Sequence, residues 1–219
     1  MDQQFIAASI PLYIKAAGLT LHLAFWGVLL SFLVGAVCAM IGYFHIPFLR
    51  EIMQVYIELS RNTPLLIQLF FLYYGFAKIG IKFDAYTCAI GGLAFLGGSY
   101  MAEALRAGIE AIGRIQIESG LSIGLTRWQL MRYIVLPQAL AVAVPAIAAN
   151  VIFLLKETSV VSAIALADLM FVAKDLIGMY YRTSEALLLL VGAYLILLLP
   201  LSLFFRYLER RLRNVGLGN

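Results

Sequence analysis

The sequence predicts an all-α integral membrane protein, with residues 1–219 forming one transmembrane domain of five helices and one large polar loop. Of the 219 residues 63% are hydrophobic and 13% charged, far from the balance of a soluble domain. Long stretches carry no formal charge: between Lys15 and Arg50, Asp84 and Glu103, Arg132 and Lys156, and Glu185 and Arg206. Each approaches or exceeds the roughly 20 residues that one crossing of the hydrocarbon needs. From Arg106 to Pro137, by contrast, Arg106, Glu110, Arg114, Glu118, Arg127 and Arg132 are interspersed with Gly108, Gly113, Gly120 and Gly124.

The elements follow in order. The first charge-free run exceeds one bilayer thickness, so the first span is expected over about 19–43. Before it, Phe5, Ile6, Ile10, Leu12 and Ile14, with Pro11 interrupting, suit an interfacial segment that ends at Lys15. Asp2 stands where a basic n-region would, and no small-residue cleavage site follows, which argues against a cleavable signal peptide. The second span, about 52–77, is apolar apart from Glu58 and Arg61. Pro64 removes a backbone donor and is expected to kink it or loosen its start. The remaining spans are expected over about 85–105, 133–156 and 186–206. A short turn, Lys78 to Asp84, joins the second span to the third.

The connection Thr158 to Ser184 is long enough for an amphipathic helix. Asp168, Lys174, Asp175 and Arg182 interrupt apolar Leu166, Leu169, Phe171, Val172, Leu176 and Ile177 at roughly helical spacing. It is expected along the outer surface, as a connector or as a dock for an external binding protein. Cys38 and Cys88 fall inside spans and say nothing about redox compartment.

With five spans the termini lie on opposite faces, and the distribution of Lys and Arg chooses which. Nine fall on the side of the large loop, the Arg50 turn and the C-terminal tail, against six on the other. The N-terminus is therefore expected outside, with the large loop and C-terminus in the cytoplasm. The net charge of +4 reflects orientation and lipid contact, and no basic stripe suits a nucleic acid.

Charges within apolar segments cost about 2.5 to 3.5 kcal/mol each on insertion scales, which makes them functional candidates. Glu58 and Arg61 share a helix face and could pair with each other, or snorkel to headgroups. Lys156 and Glu157 end the fourth run and point about 100° apart on a helix. They suit two charges of one zwitterion, at a helix end whose carbonyls lack partners, or else form an ion pair at the interface.

The polar loop has its own logic. A short helix, about Gln116 to Ser122, breaking at Gly124 would present a slim knob to a soluble partner, whereas a bare Gly120-x-x-x-Gly124 pair would read as a hinge. The full spacing is more specific. Glu118-Ser-Gly-Leu-Ser-Ile-Gly124, followed after nine residues by Ile134-Val-Leu-Pro137, resembles the EAA signature of ABC importer membrane subunits. Two alanines usual in that signature are replaced by Ser119 and Gly120.

Further stretches resemble the polar amino acid permeases of type I ABC importers, the group serving histidine, arginine, glutamine, glutamate and cystine. They are Tyr56-Ile-Glu-Leu-Ser-Arg-Asn-Thr-Pro-Leu-Leu-Ile-Gln-Leu-Phe70, Tyr100-Met-Ala-Glu-Ala-Leu-Arg-Ala-Gly108, Leu154-Leu-Lys-Glu-Thr-Ser-Val-Val-Ser162 and Leu208-Glu-Arg-Arg-Leu212. The resemblance implies the type I importer permease fold and a bacterial inner-membrane location. It also implies ATPase docking through Glu118, Ser119, Gly120, Gly124, Leu136 and Pro137. The translocated amino acid would lie near Lys156, Glu157, Ser159, Ser162, Glu58, Arg61 and Thr20. Asp is common in the family where this chain has Glu157.

Three function classes compete. An ABC permease needs separate subunits to bind ATP and Mg, and the chain has no G-x-x-x-x-G-K-[ST] pattern. The implied partners are two ATPase subunits, an extracytoplasmic amino acid binding protein and a second permease, expected to be an identical copy, with a heterodimer as the alternative. An autonomous carrier or channel would have few spans, no internal repeat and no use for a knobbed loop. A membrane enzyme is disfavoured because His22 and His45 lie far apart and neither metal-ligand spacing nor an activated nucleophile stands out, so no cofactor or metal is expected in this chain.

Overall fold

The computed structural model describes residues 2–216, and these are almost entirely helical with no strand among them. Met1 and the C-terminal Asn219, whose cytoplasmic placement is an expectation above, lie outside the described residues. Four helical stretches are long and apolar enough to cross a membrane: Gln3–Tyr43, Ala85–Glu110, Arg127–Ile164 and Thr183–Arg211.

The first helix, α1 (Gln3–Tyr43), runs 41 residues without a break, about 60 Å at 1.5 Å per residue. The separate interfacial segment expected up to Lys15 does not form. Asp2 caps the helix by accepting from the Gln4 and Phe5 amides at 3.1 Å, and Pro11 is absorbed inside it. Tertiary packing outweighs the hydrogen bond lost at Pro11. Tyr13 and Ala16 are buried against Leu169, Leu176, Ala186 and Leu190, and the Tyr13 hydroxyl donates to the Ala186 carbonyl at 2.7 Å.

The second hydrophobic stretch is not one helix. It forms α2 (Pro47–Arg61), an irregular link at Asn62–Pro64, α3 (Leu65–Phe70), a π-helical turn (Phe71–Gly75) and α4 (Phe76–Lys78). Pro64, at φ −58° and ψ 143°, starts α3 and cannot continue α2. The break is stitched by Gln68, whose Nε2 donates to the carbonyls of Ser60 (3.1 Å) and Thr63 (2.9 Å).

Helix α5 (Ala85–Glu110) is the centre of the fold, and its crossing with α1 is the most extensive in the molecule. Small residues permit the approach. A Cβ on Gly35 would stand 2.5 Å from the Met101 Cβ, and one on Gly97 would meet Ser31 and Leu154. Gly27, Ser31 and Gly35 thus repeat every fourth residue along the α1 face that meets α5, as small residues do where membrane helices pack closely.

The polar interval is shorter than its charges imply. Helix α5 extends through Glu110, and helix resumes at α7 (Arg127–Leu130), passes a π-helical turn (Met131–Val135) and continues as α8 (Leu136–Glu157). Pro137 therefore sits just after the π-helical turn, inside one helical stretch running from Arg127, and does not close a loop. Between them lies α6 (Arg114–Ser122). After α8 a 3-10 turn (Thr158–Ile164) ends at Ala165, in the left-handed region at φ 59°. Helix α9 (Leu169–Tyr180) then leads to α10 (Thr183–Gly216). α9 is amphipathic: Leu169, Ala173 and Leu176 are buried against α1 and α10, while Lys174, Asp175, Met179 and Tyr180 are exposed. Asp168, fully buried, caps it by accepting from Met170 and Phe171.

Candidate functional site

The coupling knob is built from α6 and α7. Gly124 has φ +87° and breaks the chain after α6, a backbone state that favours glycine. Its amide donates to the Leu121 carbonyl at 3.0 Å, and the next amide, of Leu125, reaches the Gly120 carbonyl at 3.2 Å. Thr126 then starts α7 with a reciprocal capping box to Gln129. Glu118 and Ser119 are exposed, as are Leu136 and Pro137, while Gly120 is buried.

Ile115 and Ile123 are each 78% exposed, so the knob presents apolar side chains that none of the described residues covers. Gly120 explains one departure from the EAA signature. A Cβ there would lie 2.5 Å from the Leu130 Cδ1 and 3.2 Å from the Ile134 Cδ1. The knob is tied to the body where Trp128 stacks on Phe44, beyond the end of α1, with ring centroids 6.2 Å apart.

The residues expected around a solute fall into two groups. The first is at the α8 end. Lys156 is exposed and Glu157 half-buried, and neither has an ion-pair partner among the described residues. Just beyond them the helix tightens: Thr158 donates to the Leu155 carbonyl at 2.7 Å, Ser159 is half-buried and Ser162 buried. The Tyr194 hydroxyl of α10 is buried beside Thr158 and Ser159 and makes no hydrogen bond among the described residues. Thr20 is fully buried, and its hydroxyl serves α9 by accepting from the Leu169 amide at 3.4 Å.

The second group lines a cleft of about 650 Å³ walled by α1, α2 and α5. Glu58 and Arg61 both face it, yet they do not pair with each other. Arg61 instead reaches across to Glu103 of α5 at 3.3 Å, and its guanidinium lies 5.2 Å from the Tyr100 ring centroid. The local spacing allows an i, i+3 contact within α2, but the close α2–α5 packing brings the Glu103 carboxylate within ion-pair distance. That packing is fixed by Tyr56 and Ser60, whose hydroxyls donate to the Phe95 carbonyl at 2.7 and 2.9 Å. Tyr100 in turn packs on Phe153 of α8 at 5.2 Å, one turn before Lys156, and its carbonyl accepts from Asn150.

The sequence reading missed Glu103, Tyr100 and Tyr194. Glu103, Arg106 and Glu110 do carry a legible signal, since charges at i, i+3 and i+7 share one helix face. The pairing of Glu103 with Arg61, 42 positions earlier, has no local signal.

The sequence pattern described as "Binding-protein-dependent transport system inner membrane component" matches residues 8–214. The chain belongs to that family. Among relatives of this permease, the probable amino-acid ABC transporter permease protein PatM of Vibrio harveyi is 37% identical over 196 residues, 88% of each chain. The glutamine transport system permease protein GlnP of Escherichia coli K12 is 31% identical over 214 residues, 97% of this chain and 98% of the relative. A crystal structure of an amino acid ABC transporter with histidines superimposes with a TM-score of 0.90 at 34% identity, covering 96% of this chain and 99% of that one.

The inward-facing MetNI methionine ABC transporter shares the fold, at a TM-score of 0.80 and 19% identity. The permease thus has the type I importer fold and works in a membrane with binding-protein and ATPase partners, ATP hydrolysis residing in separate subunits. The autonomous-carrier reading gives way to this one.

Proposed function

We propose that this permease forms the translocation path for a polar L-amino acid, delivered by an extracytoplasmic binding protein and moved by alternating access. The observation that carries the reading is the likeness, across nearly the whole of both chains, to an amino acid transporter. Two permease subunits, expected to be identical copies, would enclose the path, and two ATPase subunits holding ATP and Mg would grip the α6 knobs through Glu118, Ser119, Gly120 and Gly124. Closure of the ATPase pair draws the knobs together and opens the path outward, and hydrolysis reverses it. The N-terminus lies outside and the knob and C-terminus in the cytoplasm of a bacterial inner membrane. One feature of the fold supports placing the two faces at opposite ends of α1: Phe44, beyond one end, stacks on the knob, and Asp2, at the other, contacts Arg182 and Glu185.

The solute site is at the α8 end. Lys156 and Glu157 have charges left for a zwitterion, Ser159 and Tyr194 offer hydroxyls, and Ser162 and Thr20 shape the wall from behind. Arg61 and Glu58 form the cleft end of the path. Removing one charge leaves its counterpart on the solute unpaired in a low-dielectric site, at about 2 to 5 kcal/mol. Uptake of labelled amino acids into proteoliposomes by Lys156→Ala and Glu157→Ala tests this. Both should lose uptake while still purifying with the ATPase subunits. Unchanged uptake by Glu157→Ala would remove the site, because an interfacial pair is worth only about 0 to 1 kcal/mol.

A further inference from the structure

The wall of the α1–α2–α5 cleft carries a continuous row of four charges. It begins at Arg61, the last residue of α2, and ends at Glu110, the last residue of α5 and four positions before α6. Glu103 is held twice. Its Oε2 forms an ion pair with Arg61 Nη1 at 3.3 Å and accepts from Arg106 Nη2 at 2.9 Å, while its Oε1 accepts from Arg106 Nε at 3.1 Å. Arg106 is held twice as well, since its Nη1 donates to Glu110 Oε1 at 2.8 Å. The grip of Arg106 on Glu103 is the two-pronged, directional kind, whereas Arg61 contributes one longer contact. The side chains are 30 to 62% exposed, so each pair is weak enough to exchange partners.

Two cations compete for one carboxylate, and two carboxylates for one guanidinium. A carboxylate arriving at Arg61 withdraws that donor from Glu103, which then depends on Arg106 alone. The guanidinium is drawn toward Glu103 and its Nη1 away from Glu110, releasing the end of α5 that leads into α6. We propose that Arg106 is a positioning residue through which occupancy at the Arg61 end of the cleft reaches the coupling knob. Glu103 stays neutralised throughout, because Arg106 holds it when Arg61 lets go. The proposal rests on the reading above that the solute passes Arg61. A purely structural ladder along α5 would use the same contacts, so the test must read communication and not only stability.

The complete transporter, permease with its ATPase subunits, is reconstituted in proteoliposomes with the binding protein and a labelled mixture of L-glutamine and L-histidine. Basal hydrolysis, hydrolysis stimulated by loaded binding protein, and uptake are measured together. Glu110→Gln removes the charge from only the last link, weakening the pull of residue 110 on Arg106 Nη1, and leaves both arginines on Glu103. The proposal expects its stimulated-to-basal ratio to fall about fivefold, the lower end of ordinary coupling between sites, with uptake falling alongside and basal hydrolysis kept. Arg106→Gln should do the same, and Arg106→Lys, which keeps the charge but loses the fork, should recover part of the ratio. A parental ratio in Glu110→Gln, or a ladder effect in which the melting temperature drops but the ratio holds, overturns the proposal. A parental transporter that takes up neither amino acid nor any other polar one instead removes the solute reading, and the relay with it.

Discussion

Replacing Gly120 by alanine restores a residue usual in the EAA signature, and the packing around α6 predicts that this chain will not accept it. In an exposed helix interior the change should stabilise by about 1 kcal/mol through helix propensity. Here the new methyl would stand 2.5 Å from the Leu130 Cδ1 and 3.2 Å from the Ile134 Cδ1. Carbon atoms prefer about 3.5 to 4.0 Å, so α6 must move outward by about 1 Å or Leu130 must leave its rotamer. Leu130 is 1% exposed and packs with Met131, Val135 and Ile112, which leaves it little room. Overpacking of this kind costs about 1 to 3 kcal/mol, so the net effect is a loss of about 0 to 2 kcal/mol, concentrated at the knob.

Thermal unfolding of the purified permease, co-purification of the ATPase subunits and ATP-driven uptake should all decline. Leu130→Val removes the Cδ atoms that cause the clash. The double variant should therefore be more stable than the sum of the singles by about 1 kcal/mol. If Gly120→Ala raises the melting temperature, or the two changes simply add, the tight α6–α7 contact does not exist and the departure from the signature has another cause.

Three further outcomes are expected. Gly124→Val places a β-branched residue at φ +87° with none of the described residues within 4 Å of the new Cβ, so its cost is backbone strain, about 1 to 3 kcal/mol. Uptake should fall with membrane insertion unchanged, and normal coupled transport would show the turn to be dispensable. Gln68→Leu strips the Ser60 and Thr63 carbonyls of their donor, though it also removes a buried Oε1 that has no partner among the described residues. The net loss should be about 1 to 2 kcal/mol, read as a lower melting temperature, and an unchanged value would mean that the break after Arg61 does not depend on Gln68.

Burial raises the Asp168 carboxyl from 3.8 to about 6, against the opposing pull of the Phe171 and Met170 amides and the more distant Lys174. With the folded value above the unfolded one, stability is fullest below about pH 4 and falls as pH rises to about 6, by roughly 3 kcal/mol for an isolated group. Asp168→Asn keeps the cap and removes the ionisation, so the melting temperature at pH 7 should rise and its dependence between pH 4 and 6 should flatten. A melting curve as steep in pH as the parent's would assign that dependence to another group.

Composition and the lengths of the charge-free runs determined that the chain is helical and lives in a membrane, because the bilayer acts on each segment locally. The glycine at 124 and the order of residues around it were equally legible, since a turn at positive φ is set by the residue that occupies it. The break at Pro64 was half legible: the missing donor is local, but the two bonds from Gln68 that hold the break open are not. Pro11 misled for the opposite reason, because its local penalty is outweighed by the burial of Tyr13 and Ala16 against α9 and α10.

The ion pairs were decided by tertiary structure alone. Arg61 chose Glu103 over Glu58 because Tyr56 and Ser60 bring α2 against α5, and no spacing within either segment encodes that distance. The same holds for Gly120, whose small size reads in the sequence as a way to keep the knob slim but proves to be a packing requirement set by Leu130 across the turn. Local chemistry chose the elements, and the close contacts between them chose each charge's partner, because a Coulomb or van der Waals contact depends on a separation that only the folded chain defines.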